Sequence, residues 1–241
     1  MTKILASIKN IEEAKIIINE DIDIIDLKDP SNGALGMLNI SNIEKISEYI
    51  YGKKTISSTI GDVKNNYSEI QEKIHLLEKT SVDIIKIGAF NREFINTILN
   101  IKSFKKIVIV FFADKYIPNY KDLLSISKNN IYGVMIDTSN KINGCLLDYI
   151  SYNQLDDFVK TANELRLLSG LAGSLSKENI KEIVKYNPKY IGFRGALCEK
   201  NKRSSNISLS YVSDIVNEVK SLSKLSIACP NPQFFKDQAI Y

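Results

Sequence analysis

The sequence predicts an α/β fold, a single (β/α)8 barrel of the TIM-barrel type. Three observations carry this. Eight short apolar, β-branched runs recur along 241 residues, amphipathic segments separate them, and the runs are apolar nearly throughout rather than alternating. Strands apolar on both faces belong to parallel sheets covered by helices on both sides. Eight such units in a chain of this length match a closed barrel. A doubly wound open sheet is the other way to arrange the same units.

The runs are KILASI (3–8), DIIDLK (23–28), KTISSTI (54–60), DIIKIGA (83–89), KIVIVFFA (106–113), YGVMIDT (132–138), RLLSGLAG (166–173) and YIGFRGA (190–196). The intervals mostly carry helical periodicity. In 10–20, Ile11, Ala14 and Ile18 share a face, and Asn10 with Glu13 has the spacing of a capping box. Ile70, Ile74 and Leu77 repeat the pattern in 67–79, as do Ile180, Ile183 and Val184 in 177–187. Beyond the eighth run, Val212, Ile215, Val216 and Val219 form a last stripe. The weakest helix is the fifth, around 122–130. No linker or composition shift marks a boundary, so residues 1–241 read as one domain. Residues 224–241, ending CPNPQFFKDQAIY, break the pattern. They read as a C-terminal extension that lies over the barrel or meets a second copy in a homo-oligomer.

Composition narrows the function. The content of 44% hydrophobic and 25% charged residues is ordinary for a globular protein. No apolar run reaches the ~18 residues of a membrane span, and the N-terminus MTKILASIKN is charged too early for a signal peptide. A cytoplasmic location is expected. Cys145, Cys198 and Cys229 are far apart and odd in number, which argues against disulfides and a zinc site. The sole histidine, His75, sits in a helical segment and reads as a surface residue. Serine-hydrolase and histidine-ligated metal chemistry are therefore disfavoured, and no metal or cofactor is expected. The net charge of +4 is mild and its lysines lie mostly on helices. That points away from nucleic acid and is compatible with a small anionic substrate.

The strand ends carry the chemistry. In DIIDLK, Asp26 and Lys28 lie two residues apart, hence on one face. Thr59, Gly61 and Asp62 end the third run, Lys86 lies in the fourth, and the fifth leads to Asp114. Asp137 and Thr138 end the sixth, with Lys141 soon after. Active sites of such barrels lie at the C-terminal ends of the strands, and charges enter apolar strands only when partnered or functional. Any one of these can be a strand-end charge reaching solvent; their recurrence at one end argues for a site. A lysine desolvated near other cations has a lowered pKa, so it can attack a carbonyl to form a Schiff base. Lys28, Lys86 and Lys141 are all candidates, with Asp26 and Asp137 to balance charge and move protons. The loops LAGSL and FRGAL, after runs seven and eight, occupy the common phosphate position of this fold. Gly173, Ser174 and Gly195 let backbone N–H groups approach an anion, and Arg194 offers a bidentate contact.

Taken together, DIIDLKDPSNGALG, STIGDV, IKIG, FADKY, MIDTSNK, LAGSL and GFRGALC resemble the (5-formylfuran-3-yl)methyl phosphate synthase family, over about residues 23–198. The resemblance implies a TIM-barrel lyase of methanofuran biosynthesis. Such a lyase condenses two glyceraldehyde 3-phosphate molecules to 4-(hydroxymethyl)-2-furancarboxaldehyde phosphate, with loss of phosphate and water. It ranks the lysines: Lys28 as the Schiff-base residue, Lys86 as proton acceptor, with Asp26, Asp137 and Lys141 in support. Asp26 would then position Lys28 or share its proton. One substrate phosphate falls to Gly173, Ser174, Arg194 and Gly195, and Thr59, Asp62 and Asp114 are further binding candidates. The segment CEKNKRSSNIS departs from the family's glycine-rich loop, although Lys200, Lys202 and Arg203 keep its positive charge. The rivals are a class I aldolase acting on another phosphorylated sugar and a non-catalytic barrel that binds a phosphorylated metabolite or a partner protein.

Overall fold

Each apolar run contains a strand, and the strands close on themselves. The computed structural model describes residues 1–140 and 144–228. Its strands are β1 (Lys3–Ile8), β2 (Ile24–Leu27), β3 (Thr55–Thr59), β4 (Ile84–Ala89), β5 (Lys106–Phe112), β6 (Gly133–Asp137), β7 (Leu168–Leu171) and β8 (Tyr190–Phe193). All neighbours are parallel, and β1 pairs with β8 through Lys3 to Ala6 against Tyr190 to Phe193. That last ladder closes the barrel and excludes the open sheet. The helices are α1 (Ile11–Ile17), α2 (Ile40–Ile50), α3 (Tyr67–Glu78), α4 (Arg92–Leu99), α5 (Tyr120–Ser127), α6 (Tyr152–Glu164), α7 (Lys177–Val184) and α8 (Leu209–Ala228).

The helix starts are locally encoded. Asn10, Asn39, Asn66, Asn91 and Asn119 cap α1 to α5 in turn, each accepting the N–H three residues on. At α5 the Asp122 carboxylate returns the bond to the Asn119 N–H, a full capping box that starts this helix earlier than its apolar pattern suggests. At α1 the expected box is only half formed. Asn10 caps Glu13, but the Glu13 carboxylate reaches back to the Lys9 N–H instead. α8 continues through Ala228, past residue 224 where the extension was expected to begin. Residues 229–241 lie outside the described residues.

Alternation sorts the core. Odd-numbered β1 residues and even-numbered β2 residues face the barrel axis, and their neighbours pack against helices. The interior floor comprises Leu5, Ile24, Ile84, Val108 and Tyr190. Gly170 makes room for the Tyr190 ring, since a Cβ there would stand 2.2 Å from its Cζ.

The loop after β2 is a folded plug. Its ends meet where the Asp29 N–H donates to Gly36 O at 2.8 Å. It inserts Ala34 and Leu35 into the interior cluster with Val110 and Phe112. This covers the β3–β5 side of the mouth and leaves the β6–β1 side open. Gly36 is required by close approach: a Cβ would lie 2.2 Å from Asn32 O and 2.4 Å from Asp29 O. Gly36→Ala is expected to destabilise the protein by about 1–3 kcal/mol. The urea midpoint checks this; an unchanged midpoint would show that the loop yields freely.

Candidate active site

The open side of the mouth leads into a cavity of about 560 Å³. Ser7, Lys28, Lys86 and Asp137 line its depth, and Gly173 to Ser176, Arg194 to Ala196 and Asn201 to Ser204 line its rim. Four charged side chains meet at the base, and all four are nearly inaccessible: Asp26 at 0%, Lys86 at 3%, Asp137 at 5% and Lys28 at 6% exposure.

Strand register explains how Asp26 tolerates this burial. Ser7, Asp26 and Ser57 stand side by side on β1, β2 and β3. The Ser7 hydroxyl donates to Asp26 Oδ2 at 2.9 Å and that of Ser57 to Oδ1 at 2.7 Å. Lys86 Nζ sits 2.7 Å from Oδ2. The carboxylate thus has two hydroxyl donors and a counter-charge, which a buried anion needs. Lys28 Nζ lies 3.8 Å from Asp137 Oδ2. The geometry therefore corrects one pairing: Asp26 contacts Lys86, while the carboxylate beside Lys28 is Asp137. Beneath them Tyr190 is fully buried. Desolvation first, then the Asp26 and Asp137 charges, push its phenol far up, so it stays neutral at working pH.

At the rim, Gly173 adopts φ 114° and Ser174 φ 49°, a left-handed pair. A Cβ on Gly173 would press on the Thr138 Cγ2 at 2.9 Å. This turn leads into the N-terminus of α7, and Gly195 starts the short turn after β8. Gly173 to Ser176 and Gly195 both line the cavity, where turns of this kind can present main-chain N–H groups to an anion.

Several expected binding residues have other work. Arg194 is not available for a phosphate. Its Nε donates to Arg203 O, Nη1 to Ser7 O and Glu13 Oε2, and Nη2 to Glu13 Oε1 and Ser205 O. All five donors are taken. Asp62 is absent from the cavity wall and anchors the plug, accepting the N–H groups of Ala34 and Leu35 at 2.6 and 2.9 Å. Thr59 Oγ1 donates to Gly36 O at 3.0 Å, holding the same loop. Asp114 accepts the Ser139 and Asn140 N–H groups and the Ser139 hydroxyl, fixing the loop after β6. Partial burial would raise its pKa, but those hydrogen bonds outweigh it and hold the carboxyl below its ordinary value. Lys141 lies outside the described residues.

Four residues escaped the sequence reading as site components: Ser7, Ser57, Glu13 and Lys9. Ser7 and Ser57 had a signal in their position on β1 and β3, level with Asp26. Glu13 had none, because it sits on a helix and looked like a cap. The loop after β8 carries no glycine beyond Gly195. Lys200 and Asn201 take the left-handed conformation themselves, at φ 56° and 55°.

Comparison with known proteins decides the family. The model of the 4-HFC-P synthase family matches residues 4–216. The chain belongs to the 4-HFC-P synthase family. A (5-formylfuran-3-yl)methyl phosphate synthase of Archaeoglobus fulgidus is 30% identical over 90% of this chain and 99% of its own. One of Methanosarcina acetivorans is 30% identical over 84% and 93% respectively. Among solved structures, phosphoribosyl anthranilate isomerase of Thermus thermophilus superposes with TM-score 0.67 over 92% of this chain and all of its own, at 12% identity. The 3-hexulose-6-phosphate synthase of Salmonella typhimurium gives TM-score 0.64 over the same shares, at 13%. These two likenesses show the barrel fold. Family membership rests on the sequence match, which spans every strand of the barrel.

Proposed function

We propose that this chain condenses two molecules of glyceraldehyde 3-phosphate into 4-(hydroxymethyl)-2-furancarboxaldehyde phosphate, through an imine on Lys28, as a cytoplasmic step of methanofuran biosynthesis. One observation carries the reading: two buried lysines, each ion-paired with its own aspartate, face one cavity in a chain of the 4-HFC-P synthase family.

The steps follow from the groups present. Lys28 Nζ adds to a triose carbonyl and water leaves, giving the imine. The imine acidifies the neighbouring C–H, and the Lys86–Asp26 pair takes up that proton. The resulting enamine carbon attacks the carbonyl of the second triose, forming the new carbon–carbon bond. Loss of one phosphate, ring closure and dehydration complete the furan, and hydrolysis frees Lys28. The atoms balance when two trioses yield one furan phosphate, one inorganic phosphate and two waters. In this reading Asp137, 3.8 Å from Lys28 Nζ, serves the proton transfers of imine formation and hydrolysis.

The test supplies glyceraldehyde 3-phosphate alone and follows phosphate and product together. The expected result is one phosphate released per two trioses consumed, with a furan aldehyde identified by mass. An aldol product without phosphate release would sink the synthase reading and assign the lysines to another Schiff-base lyase.

A further inference from the structure

Two trioses bring two phosphates, and the turns after β7 and β8, which line the cavity, account for one of them in the proposed reading. The geometry points to Arg203, with Lys202 beside it, as a second anion subsite that takes the other phosphate at the cavity mouth. It also assigns Glu13, Arg194 and Lys9 as the clamp that positions it. The inference rests on the proposed condensation for its substrate and on the loop geometry for its location.

Arg203 and Lys202 line the cavity, together with Ser204. Arg203 is half-buried, and desolvation, with a smaller contribution from the Arg194 charge, holds its pKa below the ordinary value against the pull of Asp137, Asp62 and Asp29. Its side chain lines the cavity and reaches the plug at Gly33. Among the described residues, its hydrogen bonding amounts to Nη2 donating to Gly33 O at 3.3 Å. The other N–H donors of a planar fork therefore remain for an anion, and a phosphate matches that fork.

The loop is gripped by its carbonyls, which leaves its side chains to the cavity. Arg194 takes Arg203 O and Ser205 O, while Lys9 Nζ takes Ser204 O at 2.6 Å. Glu13, 2% exposed, neutralises both cations: 2.5 Å from Arg194 Nη1 and 3.9 Å from Lys9 Nζ. Three consecutive carbonyls are thus fixed by two cations on a single buried carboxylate. This also gives Arg194 a role: it holds the phosphate-facing loop instead of touching the phosphate.

Calorimetric titration of the full chain with sn-glycerol 3-phosphate tests this without imine chemistry, because the probe has a phosphate ester and no carbonyl. Wild type is expected to bind two equivalents and Arg203→Met one. The same variant should raise KM for glyceraldehyde 3-phosphate on the order of 10–100-fold, the scale of a lost charge-assisted bidentate contact. Its borohydride-trapped adduct on Lys28 should persist, and Arg203→Lys should recover part of the affinity. Glu13→Gln should weaken the same equivalent and add nothing further in the double variant with Arg203→Met. A general structural role for Glu13 would produce additive losses instead. If Glu13→Gln fails to fold, Lys9→Met loosens the same loop from a more exposed position. Two equivalents with wild-type affinity in Arg203→Met would overturn the subsite. So would a single equivalent in wild type, while leaving the synthase reading intact. Two equivalents in wild type and one in Arg203→Met, without furan product, would support the subsite and remove the reaction.

Discussion

Lys28→Arg is expected to abolish both turnover and covalent trapping. Reduction of wild type with borohydride in the presence of glyceraldehyde 3-phosphate should add one triose-phosphate mass to the peptide bearing Lys28. Arginine keeps a cation beside Asp137, so the buried carboxylate retains its counter-charge and the fold survives. A guanidinium stays protonated and cannot add to a carbonyl. Loss of a covalent nucleophile puts the drop in kcat at about 10⁴-fold or more. Lys86→Arg separates the two lysines. It preserves the pairing with Asp26, so trapping at Lys28 should continue, while kcat falls by about 10²–10⁴-fold as proton transfer is lost. Intact-mass spectrometry of the three proteins reads the result. An adduct on Lys86 in wild type, persisting in Lys28→Arg, would exchange the two roles.

The strands were legible because parallel barrel strands are apolar on both faces, and only a covered sheet explains eight such runs. The starts of α1, α3 and α7 were legible, the first from Asn10 at its cap and the other two from apolar periodicity. The α5 start was not, because its capping box precedes the apolar pattern. At the site, sequence placed Asp26, Lys28, Lys86 and Asp137 at the right end of the barrel, since period two and strand order suffice for that. Sequence could not say which carboxylate meets which lysine. That depends on register between strands: Asp26 lies level with Ser7 and Ser57, and Lys86 reaches it from β4. Nor could it show how Arg194 spends its donors. An arginine at a phosphate-binding corner reads as a phosphate ligand until a buried glutamate from a helix is found against it. Asp62, Thr59 and Asp114 share this character. They sit at strand ends because the loops around the mouth need anchors, and anchors and ligands are made from the same residue types.

Asp26 offers the sharpest separation of fold from chemistry. Asp26→Ala leaves the Lys86 ammonium buried without its carboxylate and strips the Ser7 and Ser57 hydroxyls of their acceptor. The expected cost is about 3–5 kcal/mol, the scale of breaking a buried ion pair from one side. The double variant Asp26→Leu with Lys86→Met removes both charges and fills the space with apolar groups. It should recover at least half of that loss, because the desolvation of two ions no longer opposes folding. Recovery stops short of complete while the two serine hydroxyls stay unsatisfied, at about 1–3 kcal/mol each. Adding Ser7→Ala and Ser57→Ala removes that residue of cost. Urea midpoints at constant slope measure the series, and phosphate release from glyceraldehyde 3-phosphate follows function. Every member should be inactive, including the most stable. Stability that returns without activity would mean that the buried pair is retained for proton transfer at the expense of the core. Stability that fails to return would instead make Asp26 and Lys86 a structural pin of the barrel, and the proton acceptor would have to be sought at Asp137.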